Sequence, residues 1–339
     1  MGKNDEMNDK ERFLNALLLK EIDRASAACP LQTATTEMMD ETGCFWPDAN
    51  YDSKKMAMLA EFAHTKAGIE SIRVPFDLCV EAEVLGAEIN QGRKNSQPSV
   101  IKPAIRREKD LDVTFKPDPK NDGRMKTVCD AVSILSEKYS DVPIIAGITG
   151  PFTLAGQIRG VEMLLMDFFD NPDFVKTLLN YTTEVLIDFA KALTESGADS
   201  IIVIDPSAGC ELLGKKHYES MALPYCKKLI DSIKVPTILH ICGDTTPILE
   251  KMCETNADAI SLDHLVDMKT AFDTVGNRIC LIGNINPADT LFLGSTEDVK
   301  NETKECIKAG ARIIAPGCGI PTGTKIENIK AWIETVKEE

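Results

Sequence analysis

A helix end that leads directly into a short β-branched strand recurs along this chain, and this repeat constrains the fold more than any other feature. The four clearest copies are "KAGIESIRVP" from Lys66, "ESGADSIIVIDP" from Glu195, "ETNADAISLD" from Glu254 and "KAGARIIAPG" from Lys308. The junction in each copy is a glycine or an asparagine: Gly68, Gly197, Asn256 and Gly310. Both residue types tolerate the left-handed backbone that ends many helices. The repeat therefore predicts successive helix–strand units.

Further apolar runs bring the number of predicted strands to eight. They lie near residues 29–34, 70–76, 143–148, 200–205, 235–242, 259–264, 279–285 and 311–316. Nearly continuous Val/Ile runs that alternate with helices are typical of a parallel sheet covered on both faces. Eight such units in about 300 residues predict an α/β fold of the (β/α)₈ barrel type. An open, doubly wound sheet is the alternative that the same alternation permits.

The barrel is expected to form one domain over residues 1–339, with two additions. A helical segment is predicted at about residues 8–24, ahead of the first strand. A polar, proline-containing stretch at about residues 102–124 lacks regular periodicity and predicts a long loop between a strand and a helix. Loops of that length often serve as lids or docking surfaces.

Charge and cysteine content exclude several classes of protein. Acidic residues outnumber basic ones by 53 to 38, giving a net charge of −15, so nucleic acid is not expected as a partner. The charged start and the absence of a long apolar run predict a cytoplasmic protein with no membrane partner. The 11 cysteines, odd in number and evenly spread, are expected to be reduced thiols.

A candidate metal site begins in "TILHICGDTTPIL", at the end of the fifth predicted strand. His240 and Cys242 are two residues apart, so in a strand their side chains point to the same side. A histidine nitrogen and a cysteine sulfur so placed can bind one zinc ion. Without further context, such a pair is more often simply packed in a protein core.

A third ligand is found in "APGCGIP", just after the eighth predicted strand. Cys318 lies there between Gly317 and Gly319, and in a barrel the carboxyl ends of all strands meet at one mouth. Three protein ligands leave one exchangeable position on zinc, whereas a structural zinc site usually has four. Asp263, after the sixth predicted strand, is a candidate for that fourth position. Asp205, after the fourth, is either a helix cap or an active-site acid.

The same stretches resemble a known family. "KERFLNALLLKEIDR", "IIVIDPSAG", "TILHICGDTTPIL" and "IIAPGCGIP" are similar to the uroporphyrinogen decarboxylase superfamily, whose members are (β/α)₈ barrels. The His-x-Cys with a distant Cys looks like its zinc-dependent branch, the methylcobamide:coenzyme M methyltransferases, and "QTATTEMMDETGCFWPDA" looks closest to the methylamine-pathway type. Decarboxylases need an arginine near the first strand, where this chain reads "LQTATTEM".

The resemblance implies an activity and a set of cofactors. It makes His240, Cys242 and Cys318 zinc ligands, with Asp263 at a matching acidic position. It implies transfer of a methyl group from a methylated corrinoid protein to the thiol of coenzyme M, forming the methyl-coenzyme M used in methanogenesis. The corrinoid (methylcobalamin) is expected on the partner protein, because the Asp-x-His-x-x-Gly pattern of cobalamin-carrying modules is not found in this chain.

Candidates for binding the substrate, including its sulfonate, lie near the predicted strand ends: Gln32, Thr33, Arg73, Asp205 and Asn284. Two enzymatic alternatives remain open, a methyltransferase with another thiol acceptor and a uroporphyrinogen decarboxylase-like enzyme. The alternative from another class is a structural zinc protein or a corrinoid-binding protein without catalysis.

Overall fold

A parallel sheet forms the centre of the computed structural model, which describes residues 6–339. Six strands follow one another in the order β1-β4-β5-β6-β7-β8, and every neighbouring pair is parallel. The other two strands, β2 and β3, pair antiparallel as a separate hairpin. The eight strands are β1 (Ile72–Val74), β2 (Glu88–Asn90), β3 (Ser99–Lys102), β4 (Ile144–Thr149), β5 (Ser200–Ile204), β6 (Thr237–His240), β7 (Ala259–Ser261) and β8 (Cys280–Ile282).

Two short bridges close this sheet into a barrel. Ile313 forms parallel bridges with Ile282 on one side and with Ser26 on the other. On the far side of Ser26, the amide of Glu70 donates to the carbonyl of Ala27 at 3.1 Å, which joins this segment to the start of β1. The segments at Ser26 and Ile313 are therefore the first and eighth barrel positions. The predicted (β/α)₈ barrel is confirmed.

The expected first strand at residues 29–34 is wrong, because the barrel position lies earlier, at Ser26. Pro30 lacks the amide hydrogen that a ladder needs. Beyond it the chain crosses the mouth, where the carbonyl of Gln32 accepts from the amide of Ile320 at 2.8 Å. The eighth barrel position is also less regular than expected. It has isolated bridges at Ile313 and Pro316 in place of a continuous strand.

In chain order, helices alternate with the barrel positions. Residues 6–339 contain fourteen α-helices: α1 (Asp9–Leu17), α2 (Thr36–Thr42), α3 (Ser53–Thr65), α4 (Val80–Val84), α5 (Gly123–Lys138), α6 (Pro151–Arg159), α7 (Val161–Asp170), α8 (Pro172–Glu195), α9 (Cys210–His217), α10 (Leu223–Ser232), α11 (Leu249–Cys253), α12 (Met268–Val275), α13 (Thr296–Lys308) and α14 (Ile326–Glu338). Within this part of the chain, none of the helices has both the length and the apolar character needed to cross a membrane.

The predicted junctions adopt the backbone that their residue types favour. Gly68, Gly197, Asn256 and Gly310 all have positive φ, between 66° and 104°. The strands β1, β5 and β7, which follow three of these junctions, are buried at every residue. Their β-branched side chains suit a sheet whose two faces are covered, and they form the centre of one continuous hydrophobic core.

The segments outside the barrel differ in detail from the prediction. The N-terminal helix covers only Asp9–Leu17, since Leu19 has a φ of 53° that ends it. Residues 102–124 run against α6 and α8, where the hydroxyl of Tyr181 donates to the carbonyl of Phe115 at 2.9 Å. The hairpin of β2 and β3 ahead of this loop was not predicted, because its strands are short and largely exposed.

Replacement of Gly197 tests the importance of these junctions. The residue has a φ of 104°, and an added Cβ would overlap the hydroxyl of Ser136. Gly197→Ala should therefore lower the free energy of unfolding by about 1–3 kcal/mol, measured by urea denaturation. Asn256→Gly, which keeps positive φ accessible at the matching junction, is the control. Equal stability of Gly197→Ala and wild type would contradict the account.

Candidate metal centre and cavity

Three potential metal ligands meet at the carboxyl end of the barrel. His240 is the last residue of β6, Cys242 follows two residues later, and Cys318 lies just after the bridge at Pro316. One ligand atom from each residue lies within 4.8 Å of the other two. The Nε2 atom of His240 and the Sγ atom of Cys242 are 3.3 Å apart. A nitrogen and two sulfurs at this spacing match the donor set that binds zinc.

The imidazole of His240 is held in a defined orientation. Its Nδ1 atom lies 3.0 Å from the carbonyl oxygen of Ser261 on the neighbouring strand β7. A carbonyl can only accept, so Nδ1 carries a hydrogen, and Nε2 is the ring nitrogen that faces the sulfurs and can bind a metal ion. The ring is fully buried, which restricts other orientations. This is the arrangement that orients most histidine ligands of metal ions.

Glycines on both sides of Cys318 allow the loop to approach its neighbours. A Cβ on Gly317 would overlap the backbone nitrogen of His264, and a Cβ on Gly319 would lie 3.0 Å from the Cβ of Gln32. Any larger residue at Gly317 would push the loop away from the segment after β7. The Gly-Cys-Gly sequence therefore lets Cys318 reach across to β6.

The two thiols of the cluster have opposite tendencies to ionise. Interaction with the Cys242 thiol lowers the pKa of Cys318. The same interaction, together with burial, raises the pKa of Cys242. The thiolate is the form of cysteine that binds metal, and the lowered pKa of Cys318 favours that form.

Asp263 lies next to the cluster without joining it. Its Oδ2 atom accepts from the amide of Gly243, and its Oδ1 atom accepts from the amide of Leu265, both at 3.0 Å. The group of ligand atoms consists of His240, Cys242 and Cys318, without this carboxylate. The structure therefore does not bring the candidate fourth ligand into the cluster. Asp263 instead holds the turn that directly follows Cys242.

A cavity of about 400 Å³ opens beside the cluster. The three ligands lie in its wall, together with Gln32 and Arg73. Apolar side chains, among them Phe76 and Ile320, complete the lining. An apolar pocket with a few convergent polar groups is the usual form of a small-molecule site.

Arg73 is a buried cation in this cavity with no carboxylate partner in the described part of the chain. One terminal nitrogen donates to the carbonyl of Pro75, while Nε has no partner. Gly147 makes room for the guanidinium, because a Cβ there would overlap it. Burial lowers the pKa of Arg73 to about 10, so the group remains charged at neutral pH. A buried cation without a counterion favours the binding of an anion.

The other predicted substrate residues are less well placed. Gln32 lines the cavity but its Nε2 donates to the carbonyl of Ile320 at 2.6 Å. Thr33 is buried with its hydroxyl unpartnered, and it is not part of the cavity wall. Asn284 is also outside the wall, and its amide donates to the carbonyls of Asp263 and Val266. Asn284 therefore supports the loop after β7 and is not a donor to a ligand in this cavity.

Asp205 caps a helix. Its Oδ1 atom accepts from the amide and the hydroxyl of Thr153, both at 2.7 Å, in the first turn of α6. It is buried, it is not part of the cavity wall, and its Oδ2 atom has no partner. Burial raises the pKa of Asp205 to about 6. Of the two roles open from the sequence, the contacts are those of a helix cap.

Sequence reasoning missed part of the cavity wall. Asn95 and Gln97 enter it from the loop between β2 and β3, and Leu78 enters from the segment after β1. The loop reads "NQGRKNSQP", and its glycine and proline do indicate a turn. Nothing in that local pattern shows that the turn lies over the barrel mouth.

Fold and site together place this barrel in a known class. The chain matches the family model "Uroporphyrinogen decarboxylase (URO-D)" over residues 8–339, and it belongs to that family. Within the family, it is 43% identical to the methylcobamide:CoM methyltransferase MtbA of Methanosarcina acetivorans, over 98% of each chain. It is 36% identical to the methylcobamide:CoM methyltransferase MtaA of Methanosarcina barkeri, over 96% of each chain.

A solved structure agrees with these relatives. A methyltransferase from Methanosarcina mazei superposes with a TM-score of 0.94 at 33% identity, covering 98% of this chain and 99% of its own. The family recognised from the sequence is confirmed by the family model, by the relatives and by this structure.

The burial of Asp205 predicts a pH dependence of stability. Between about pH 4 and pH 6 the folded chain keeps a proton on Asp205 that the unfolded chain releases, so wild-type stability falls as pH rises. Asp205→Asn removes this titration but keeps an acceptor for Thr153. The stability of wild type relative to Asp205→Asn should therefore fall by up to ~3 kcal/mol from pH 4 to pH 7 in urea unfolding. If the stability difference between wild type and Asp205→Asn were independent of pH, burial would not shift the pKa of Asp205.

Proposed function

We propose that the chain is a zinc-dependent methyltransferase that moves a methyl group from a methylated corrinoid protein to the thiol of coenzyme M. The names of its 43% and 36% identical relatives, both methylcobamide:CoM methyltransferases, support this reaction. The proposal places the reaction in the cytoplasm and treats residues 1–339 as one barrel domain. The observation that carries it is the group of His240, Cys242 and Cys318 in the wall of an open cavity.

The residues of the cluster fit a zinc ion with one exchangeable position. His240 offers Nε2, and Cys242 and Cys318 offer two sulfurs, all within 4.8 Å of one another. Because Asp263 is occupied by backbone amides, these three residues leave the fourth position to a ligand from the cavity. Zinc bound there would supply a positive charge that lowers the pKa of an incoming thiol, whose free value is about 8.5.

The rest of the cavity orients the thiol. Arg73 provides a buried positive charge in the same cavity as the cluster, so it can bind the sulfonate while the sulfur faces His240 and the two cysteines. The apolar wall at Phe76 and Ile320 surrounds the carbon chain and limits water. In the transfer, the sulfur of coenzyme M forms a bond to the methyl carbon as the cobalt–carbon bond breaks. The cobalt keeps the electron pair, and the thiol proton is released.

The methyl donor must reach the same cavity from outside. The cavity lies at the carboxyl end of the barrel, where the loops leave it open. We expect a separate corrinoid protein to present methylcobalamin there, as the sequence resemblance implies. The chain then contributes the metal ligands and the thiol site, and its partner contributes the cobalt.

Cys318→Ser tests the metal centre, with Cys253→Ser as the matched control. Cys253 lies in α11, outside the ligand group, so its replacement should leave zinc content and rate close to wild type. Cys318→Ser should lose most of the zinc and reduce methyl transfer by on the order of 100-fold, because the thiol is no longer held in position. Zinc is measured by mass spectrometry in reduced protein. Transfer is measured from the absorbance of free methylcobalamin with coenzyme M.

Two results of this assay would contradict the proposal. Wild-type protein without stoichiometric zinc would remove the proposed metal centre. Zinc-containing protein that demethylates methylcobalamin with another thiol, such as homocysteine, but not with coenzyme M would assign a different acceptor.

Arg73→Ala tests the anion site. Loss of the buried cation should raise the KM for coenzyme M by about tenfold or more, equivalent to ~1.4 kcal/mol of binding, with zinc content unchanged. Arg73→Lys keeps the positive charge, so its KM for coenzyme M should rise less than that of Arg73→Ala. Thermal unfolding of both variants shows whether the barrel remains folded. An unchanged KM in folded Arg73→Ala would remove this residue from the site.

A further inference from the structure

The loop between β2 and β3, residues 92–98, is called here the hairpin tip. It brings two side-chain amides, Asn95 and Gln97, to the wall of the cavity that contains the metal cluster and Arg73. Both residues are exposed, and within residues 6–339 neither side-chain amide forms a hydrogen bond. These two free amides are unused donors in the wall of the cavity where an anionic ligand of Arg73 would lie.

The hairpin tip is also locally basic in an acidic chain. Arg93 and Lys94 are adjacent in it, whereas the whole chain has a net charge of −15. Lys94 pairs with Asp40 at 2.5 Å, and Arg93 has no acidic partner among the described residues. A positive group at the entrance of a cavity raises the local concentration of anions.

Contacts at the rim hold the hairpin tip over the cavity. Lys94 reaches Asp40 and lies 5.1 Å from the ring of Phe45, both in the segment after the first barrel position. The hydroxyl of Thr322, after the eighth position, donates to the carbonyl of Asn95 at 3.2 Å. These contacts are exposed, and a two-stranded hairpin is marginally stable without such support. The position of Asn95 and Gln97 therefore depends on a few surface interactions.

We propose that the hairpin tip determines specificity for the acidic end of the thiol substrate. Asn95 and Gln97 donate amide hydrogens to the sulfonate, and Arg73 neutralises its charge. Lys94 is a positioning residue that holds the tip in place through Asp40. This inference rests on the proposed function and adds to it a second wall of the acceptor site.

The test compares two thiols that differ in the acidic group. Wild type, Asn95→Ala, Gln97→Ala and the double variant are assayed with free methylcobalamin and either coenzyme M or 2-mercaptoethanol, which has no sulfonate. Each single variant should lose about tenfold in kcat/KM for coenzyme M, and the rate with 2-mercaptoethanol should stay within about twofold. Gln91→Ala is the matched control, since Gln91 is an exposed amide of the same hairpin outside the cavity wall.

Calorimetric binding of coenzyme M to the zinc-loaded protein separates this inference from the proposed function. Weaker binding in Asn95→Ala and Gln97→Ala supports the role of the hairpin tip even if no methyl group is transferred, an outcome that would refute only the proposed reaction. Unchanged binding, or an equal loss of rate with both thiols, would overturn the role of the tip.

Lys94→Gln tests whether Lys94 holds the hairpin tip in place. The KM for coenzyme M should rise several-fold while kcat and the rate with 2-mercaptoethanol remain unchanged, because only the placement of the two amides is affected. A fall in kcat with both thiols would show a general structural effect and contradict the assignment.

Discussion

The pairing of Ile313 with both Ile282 and Ser26 is the contact on which the site depends. It joins the eighth barrel position to the first and the seventh, and so brings a loop from the end of the chain beside β6. Cys318 reaches His240 because of this closure, not because of any local sequence preference. The pairing is short, two isolated bridges in place of a strand, so neighbouring loops must support it. Backbone hydrogen bonds on both sides provide this support: the amide of Ile314 donates to the carbonyl of Ser26, and the amide of Gly317 donates to the carbonyl of Ile285, both at 2.8 Å.

Around this centre, hydrogen bonds assign each polar group one role. The carbonyl of Ser261 accepts from Nδ1 of His240 and so turns Nε2 toward the sulfurs, and interaction with Cys242 lowers the pKa of Cys318. Arg73 is left without a carboxylate, although acidic residues are abundant in the chain. Nearby Asp77 is instead paired with Arg124 at 2.7 Å. Arg73 thus remains available to bind an anionic ligand. A buried charge without a counterion lowers the stability of the folded chain.

The sequence predicted the parts of this arrangement that are governed by local rules. The glycine and asparagine junctions, the buried strands and the same-side placement of His240 and Cys242 all follow from backbone sterics and strand periodicity. The missed parts depend on tertiary contacts. Pro30 moved the first barrel position to Ser26, and Asn284 turned toward two carbonyls that no sequence pattern reveals. Asn95 and Gln97 come from a hairpin whose location over the mouth is set by Lys94 and Thr322.

We propose that two cysteines and one histidine hold a zinc ion whose fourth position receives a thiol. X-ray absorption at the zinc edge tests it most directly, with and without coenzyme M. We expect two sulfur neighbours at about 2.3 Å and one imidazole nitrogen in the protein alone, and a third sulfur at a similar distance once coenzyme M is added. A four-ligand protein shell that does not change with coenzyme M would contradict it, because the site would then be closed and structural.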